Sequence, residues 1–485
     1  MSEPTIYELS SKGRMGVAYP ESDVPDVSIP ESLFRKDLPL PELSEIDVIR
    51  HFTHLSQKNY FIDTGLYPLG SCTMKYNPRV NEDTARLPGF LNTHPLQPVI
   101  TVQGNLVLMY ELQEWLKEIS GFEGVTLQPA AGAHGELVGV MIIRAYHKDR
   151  NDPNRTKIII PDSAHGTNPA TSAMSGYQIV HIPTDEHGNV DLGTLETICD
   201  ETIAGIMLTN PNTLGLFEQD VQKVVEIVHK AGGLVYGDGA NLNALLGITR
   251  PGDLGIDVMH FNLHKTFSTP HGGGGPGSGP VGVAKHLVDF LPSPVVTIIE
   301  EGDDETPPLY GFYNPPKTIG RMKSFHGHFG ILVRAYTYIS MHGHSGLRKV
   351  SEYAVLNANY LMAKLKDTYN TPYNRICMHE FVSEGCWDSI PDIHALDIAK
   401  RLMDYGYHPP TNYFPLIVHE ALMIEPTETE TKQTLDDFAE TLIKIAKEAK
   451  ENSEVLKDAP HNTPVGRLDE VKAAKDLVLC CWTPD

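Results

Sequence analysis

The stretch His260-Phe-Asn-Leu-His-Lys-Thr-Phe267 carries a lysine, Lys265, out of the end of a short apolar run. An ammonium emerging from apolar surroundings is costly to keep charged, which lowers its pKa and makes the free amine available for imine formation. The run at 258–261 is the last of five, after those at 156–160, 179–182, 203–208 and 234–236, and they alternate with helical stretches such as 220–230. That alternation predicts an α/β fold with a mostly parallel sheet and crossover helices. In open sheets of this kind ligands bind beyond the carboxyl ends of the strands, so the residues after each run are where chemistry is expected.

Those residues are polar and rich in glycine. Pro129-Ala-Ala-Gly-Ala-His-Gly135 opens a helix, and around Gly132, Ala133 and His134 small residues let backbone N–H groups approach an anion at the helix's positive end. Pro161-Asp-Ser-Ala-His-Gly-Thr-Asn168 supplies an aromatic ring, His165, and Leu208-Thr-Asn-Pro-Asn-Thr-Leu-Gly215 supplies side-chain amides, Asn210 among them. Tyr236-Gly-Asp-Gly-Ala-Asn241 leaves Asp238 at the end of a buried-looking run, where a carboxylate needs a cation or several hydrogen bonds.

Each feature alone has an ordinary explanation: a connecting turn, a structural histidine, an Asx-turn. Anion cup, ring, carboxylate and lysine at successive strand ends together describe a pocket for pyridoxal 5'-phosphate. The cup would hold the phosphate, His165 would stack on the pyridine, and Asp238 would pair with the pyridine nitrogen, making the ring an electron sink. Lys265 would bind the cofactor as a Schiff base, Ala240 would lie against the other ring face, and Asn262 and His264 would contact the phosphate. The glycine run from His271 to Pro280 has no Lys-Ser or Lys-Thr after it, so it reads as a close-approach loop rather than a nucleotide loop.

With 485 residues, 41% of them hydrophobic, the chain can build more than one core. Its net charge of −23 argues against a nucleic-acid or anionic-membrane surface, so small molecules and proteins are the expected partners. No apolar run approaches a membrane span, and cytoplasmic residence is the expectation. Cys72, Cys199, Cys377, Cys386, Cys480 and Cys481 form no Cys-x-x-Cys pair and read as reduced thiols. No metal site is expected: His260 and His264 stand four apart, but in strand and turn rather than in a helix.

Residues 1–100 read as an extended amino-terminal arm with short helices, 101–335 as the large domain, and 336–485 as a smaller α+β domain. Within them the 43–54 segment is helical, and the spacing of Leu106, Met109, Leu112, Leu116 and Ile119 predicts a helix from Gln103 to Ser120 stopped by Gly121. Longer helices are expected at 352–369, 393–405 and 428–450, the last opened by a capping box of Thr427 and Glu430.

Nearly end to end the sequence resembles subunit 2 of the two-subunit glycine decarboxylase P-protein family. The resemblance is carried by Tyr67-Pro-Leu-Gly-Ser-Cys-Thr-Met-Lys-Tyr-Asn-Pro78, Pro129 to Glu136, Asp162 to Ala170, Asn210 to Gly215 and the block from Asn262 to Pro280. Met378-His-Glu-Phe381 and Glu425-Pro-Thr-Glu-Thr-Glu430 also look like family signatures.

The resemblance implies the type I fold of pyridoxal-phosphate enzymes, Lys265 as the Schiff-base lysine, and a heterotetramer of two such chains with two copies of subunit 1. It also implies decarboxylation of glycine with transfer of the aminomethyl group to the lipoyl arm of H-protein. Tyr67, Ser71 and Thr73 are candidates for gripping the glycine carboxylate, with a structural turn as the alternative, and Cys72 between them reads as a small buried residue. Ser324-Phe-His-Gly-His-Phe329 departs from the family, which more often has Tyr and Asn where this chain has His326 and His328. Two other readings compete: a different type I enzyme, for which a desulfurase would draw on Cys377 or Cys386, and a catalytically silent subunit keeping the fold.

Overall fold

The computed structural model describes residues 3–35, 38–272, 275 and 277–479, so Cys480, Cys481 and the Gly273, Gly274 and Pro276 of the glycine run lie outside the described residues. The chain forms two compact units, Leu66–Lys457 and a second made of Met1–Gly65 with Asp458–Asp485. Among the described residues no helix is long and apolar enough to cross a membrane.

The larger unit is organised by a seven-stranded sheet. Its strands are β1 (Gly124–Thr126), β2 (Lys157–Pro161), β3 (Gln178–Ile182), β4 (Ile203–Thr209), β5 (Leu234–Gly239), β6 (Val258–Phe261) and β7 (Val281–Val283), in the spatial order β1-β7-β6-β5-β4-β2-β3. Strands β2 to β6 pair in parallel, and β7 is antiparallel to both its neighbours, β6 and β1, so that it alone runs against the other six. All five apolar runs are strands, as the alternation requires.

Strands β4, β5 and β6 are buried along nearly their whole length because helices cover both faces of the sheet, which explains their unbroken apolar runs. One face packs against Gln103–Ser120 and the opposite one against Gly132–Asp149. Gln103–Ser120 ends where expected, on Gly121 at φ 78°.

A hairpin, β8 (Val295–Glu300) with β9 (Leu309–Tyr313), follows. A second sheet, β10 (Phe381–Glu384), β11 (Thr411–Asn412) and β12 (Ala421–Ile424), is antiparallel with β12 central. It shares a second apolar core with the helices Ala395–Asp404 and Lys432–Glu451.

Two expectations are corrected. The helix placed at 352–369 runs from Phe329 to Leu365, with a break at Gly343 (φ 59°). Ile331 and Leu332 before the break and Val350 after it are buried in the sheet's core, and Ala358, Leu361 and Leu365 nearer the helix end in the other. Packing at both ends carries the helix across the polar His342-Gly-His344 interruption that breaks its periodicity. The helix placed at 428–450 begins at Lys432, and Thr431, not Thr427, caps it by accepting from the Thr434 N–H. Residues 427–430 instead make a turn: Asn357 donates to the Thr427 and Glu430 carbonyls, and Lys75 draws Glu428 into a buried ion pair at 2.7 Å.

The other unit contains the helix Glu45–Gln57, opened by a capping box of Ser44 and Asp47. Its arm is extended and leaves Val17, Tyr19, Val27, Leu33 and Leu40 exposed.

Candidate active site

The last residue but one of β5 is Asp238, 3% exposed, whose neighbours in the sheet are Thr209 of β4 and His260 of β6. Asn168 Nδ2 donates to its Oδ2 (3.1 Å), the Ala240 N–H donates to its Oδ1 (3.0 Å), and His260 Nε2 stands 3.5 Å from Oδ1. Burial opposes the charge, but His260, the Asn168 amide and the Ala240 N–H outweigh it and hold the Asp238 carboxyl below its ordinary range. His260 itself is neutral, since burial pushes it down to about 4. The Tyr236 hydroxyl lies 2.5 Å from its Nδ1, and burial keeps that phenol protonated. Tyr236 therefore donates, which assigns the His260 proton to Nε2, on the side of Asp238.

Glu136 is buried close by and accepts from Thr167 Oγ1 (2.5 Å) and Thr171 Oγ1 (3.2 Å). Burial and the Asp238 charge push it up to about 7. Of the two carboxyls, Asp238, with His260, the Asn168 amide and the Ala240 N–H around it, carries the charge.

Lys265 lies four residues beyond the end of β6. It faces a cleft lined also by Ser71, His165, Thr209, Asp238, Ala240, His379 and Glu380. The amine, the ring, the carboxylate and the small residue picked out at separate strand ends thus share one cavity. His165 accepts from the Thr167 N–H at 3.3 Å and packs edge-on against Phe414, and burial lowers its pKa so that it is neutral.

The anion cup stands apart from the lining of this cleft. Gly132 begins its helix against Asn262, whose Oδ1 is buried without a partner; a Cβ on Gly132 would meet that atom at 2.6 Å. A Cβ on Gly279 would meet the Ala131 carbonyl at 2.1 Å, so the end of the glycine run at Gly279 is a close-approach segment, as read. His134 accepts from the Ala130 N–H and His264 from the Ser278 N–H (3.3 Å). Ala133 lies in the first turn of that helix. Asn210 accepts from the Glu218 N–H at 3.0 Å, which is turn chemistry.

The Tyr67–Pro78 motif reaches the cleft by its backbone. Ser71 and Thr73 both adopt positive φ (63° and 50°), and the Ser71 carbonyl accepts from Lys265 Nζ at 2.5 Å. The Ser71 N–H donates to Glu380 (2.7 Å), and the Thr73 N–H and hydroxyl donate to Glu425 (3.0 and 2.7 Å). Tyr67 stacks on His408 at 3.8 Å. Cys72 is part-buried, its thiol raised by burial. His326 stacks on Phe312 (4.4 Å), and His328 Nδ1 lies 2.7 Å from the Gly277 carbonyl.

Three functional-looking side chains had no role in the sequence reading. A ring nitrogen of His379 and carboxylate oxygens of Glu380 and Glu425 lie within 4.8 Å of one another, all buried. They belong to motifs quoted above, and a buried Glu pair without arginine was the available signal. Burial and Glu425 push Glu380 up to about 8, and burial pushes Glu425 up to about 7 despite its donors. Thr73, Asn241 and Asn243 all donate to Glu425, whereas Glu380 accepts one N–H, so Glu425 is the better stabilised as an anion and Glu380 keeps its proton. The same donors surround the oxygens a cation would need.

Sheet order and cleft define the class: this is the type I fold of pyridoxal-phosphate enzymes. The chain belongs to the glycine cleavage system P-protein family, whose profile matches residues 16–311, and residues 350–464 match that of the glycine dehydrogenase C-terminal domain.

It is 60% identical to a probable glycine dehydrogenase (decarboxylating) subunit 2 from Alkaliphilus oremlandii, over 98% of this chain and 97% of that one. It is 58% identical to the protein of the same description from Thermotoga maritima, over 98% and 99%. Among solved structures, an inhibitor-bound glycine decarboxylase (P-protein) of the glycine cleavage system superposes with a TM-score of 0.72, at 21% identity over 86% of this chain and 93% of that one. An Escherichia coli cysteine desulfurase superposes at 0.59, with 16% identity over 82% and 98%. Its fold is shared, but Cys377 is buried with its thiol pushed up to about 12, the reverse of an activated nucleophile.

Proposed function

We propose that this chain is the catalytic subunit of a glycine decarboxylase, releasing carbon dioxide from glycine and passing the aminomethyl group to the lipoyl disulfide of H-protein. The observation that carries it is one cleft holding Lys265, an ionised Asp238, His165 and Ala240, in a chain of this family. The same convergence favours a working enzyme over a silent subunit.

The donor set fits pyridoxal phosphate, which when bound supplies an electron sink for the carbon losing carbon dioxide. Lys265 supplies the amine that holds it, and Asp238 the anion for its pyridine nitrogen. His165 and Ala240 supply the flanking faces. The Gly132–His134 helix end, Asn262 and His264 supply the phosphate side, where the close-packed Gly132 and Gly279 bring backbone near. Asp238 stays charged because its partners are neutral donors that leave the charge on the carboxylate.

The subunit 2 description of the relatives supports a subunit 1 partner in a two-plus-two assembly, and the exposed apolar residues of the arm offer surface for it. Bacterial relatives and the absence of a membrane-spanning helix among the described residues support a cytoplasmic location. The test combines the chain with subunit 1 and lipoylated H-protein and follows exchange of labelled carbon dioxide into glycine. Lipoyl-dependent exchange is expected; its absence overturns the assignment.

A further inference from the structure

Transfer of an aminomethyl group to a disulfide has a proton requirement at the sulfur that leaves. The electron pair freed by loss of carbon dioxide forms a carbon–sulfur bond with one sulfur. The sulfur–sulfur bond breaks, its pair stays on the second sulfur as a thiolate, and the disulfide is reduced by the two electrons that the carbon gives up. Glycine, disulfide and one proton thus become carbon dioxide, an aminomethyl thioether and a thiol, so each turnover consumes a proton at the leaving sulfur.

Within the cleft Asp238 is ionised, His165 and His379 are neutral, and Lys265 Nζ is held on the Ser71 carbonyl at 2.5 Å. Glu380 lines the same cleft beside Lys265. Its Oε2 accepts the Ser71 N–H, while Oε1 lies 3.6 Å from His379 Nε2. His379 is 2% exposed, and neither of its ring nitrogens has a hydrogen-bond partner among the described residues.

We propose that Glu380 is the acid that protonates the departing sulfur. This rests on the reading that a lipoyl disulfide is the acceptor. The groups facing Glu380 are Glu425, Lys265, His379, Cys72 and Cys377. Glu425 and burial keep its proton on at neutral pH, at about 8. An alkyl thiol titrates at roughly 8.5 or above, so the transfer is close to balanced and runs toward sulfur. The carboxylate left behind stands against anionic Glu425 and is driven to take a proton back.

The experiment uses the assembly with subunit 1 and lipoylated H-protein. Glu380→Gln keeps an acceptor for the Ser71 N–H and removes the proton. It should lower kcat about 10²-fold, hold KM for glycine within about twofold, and abolish the alkaline limb of the kcat profile near pH 8. Glu380→Asp should restore that limb. Independently of turnover, infrared difference spectra of the unloaded chain should show a neutral-carboxyl band that titrates near pH 8 and is missing from Glu380→Gln. Wild-type exchange together with an unchanged profile in Glu380→Gln, or no such band in the wild type, overturns this proposal alone. Wild-type protein without exchange overturns the glycine reading and this proposal with it.

Discussion

Lys265 Nζ donates to the backbone carbonyl of Ser71 at 2.5 Å, tying the lysine after β6 to a turn 194 positions earlier in the chain. Ser71 sits at φ 63°, so the amine is aimed by a left-handed backbone rather than by a side chain. Ser71→Gly should leave stability and cofactor loading near wild type. Ser71→Val, which places a β-branched residue there, should cost about 1–2 kcal/mol, read as a lower denaturant midpoint.

Replacing Lys265 by alanine should abolish the visible absorbance of the lysine-bound cofactor while far-ultraviolet circular dichroism stays unchanged. Colour that survives would mean that a different lysine binds it.

Asp238→Asn preserves the shape and the Ala240 contact but removes the anion. Cofactor should still bind, and activity should fall by about 10²-fold or more, as for loss of a preorganised electrostatic partner. Retained turnover at saturating cofactor would separate Asp238 from the chemistry.

Lys75 is buried, pairs with Glu428 at 2.7 Å and also donates to the Thr266 carbonyl next to Lys265. Lys75→Met strands the Glu428 charge and should destabilise the fold by about 3–5 kcal/mol; adding Glu428→Gln should recover part of that loss. Urea unfolding of the single and double variants checks both.

Stability should also depend on pH through Glu380. Its ordinary value is 4.5 and its folded value about 8, so between these the folded chain binds more protons than the unfolded one. Its contribution is complete below pH 4.5 and is lost as pH rises to 8. Glu380→Gln should flatten that slope in denaturant melts across the window, gaining on the wild type toward alkaline pH. A slope unchanged by the substitution would show that Glu380 is ionised in the folded protein.

Much of this was legible in the residues. The five strands, the Gly121 stop and the convergence of Lys265, Asp238, His165 and Ala240 follow from period and from the rule that parallel strands present their carboxyl ends to a ligand. The capping box at Thr427 failed because Asn357 and Lys75, both distant in sequence, use those residues as a turn. The long helix was cut short because Gly343 breaks local periodicity, whereas the sheet's core holds the helix on both sides of it and the second core holds its far end.

Local patterning was enough to place the strands and to put Lys265 just past the end of one, because apolar period and strand-end polarity are properties of neighbouring residues. The Ser71 carbonyl reaching Lys265, and the facing of Glu380 and Glu425 across one turn, are decided by tertiary structure alone. Both join residues well separated in the chain, and the protonation of a buried carboxyl depends on which charges and donors the fold places beside it.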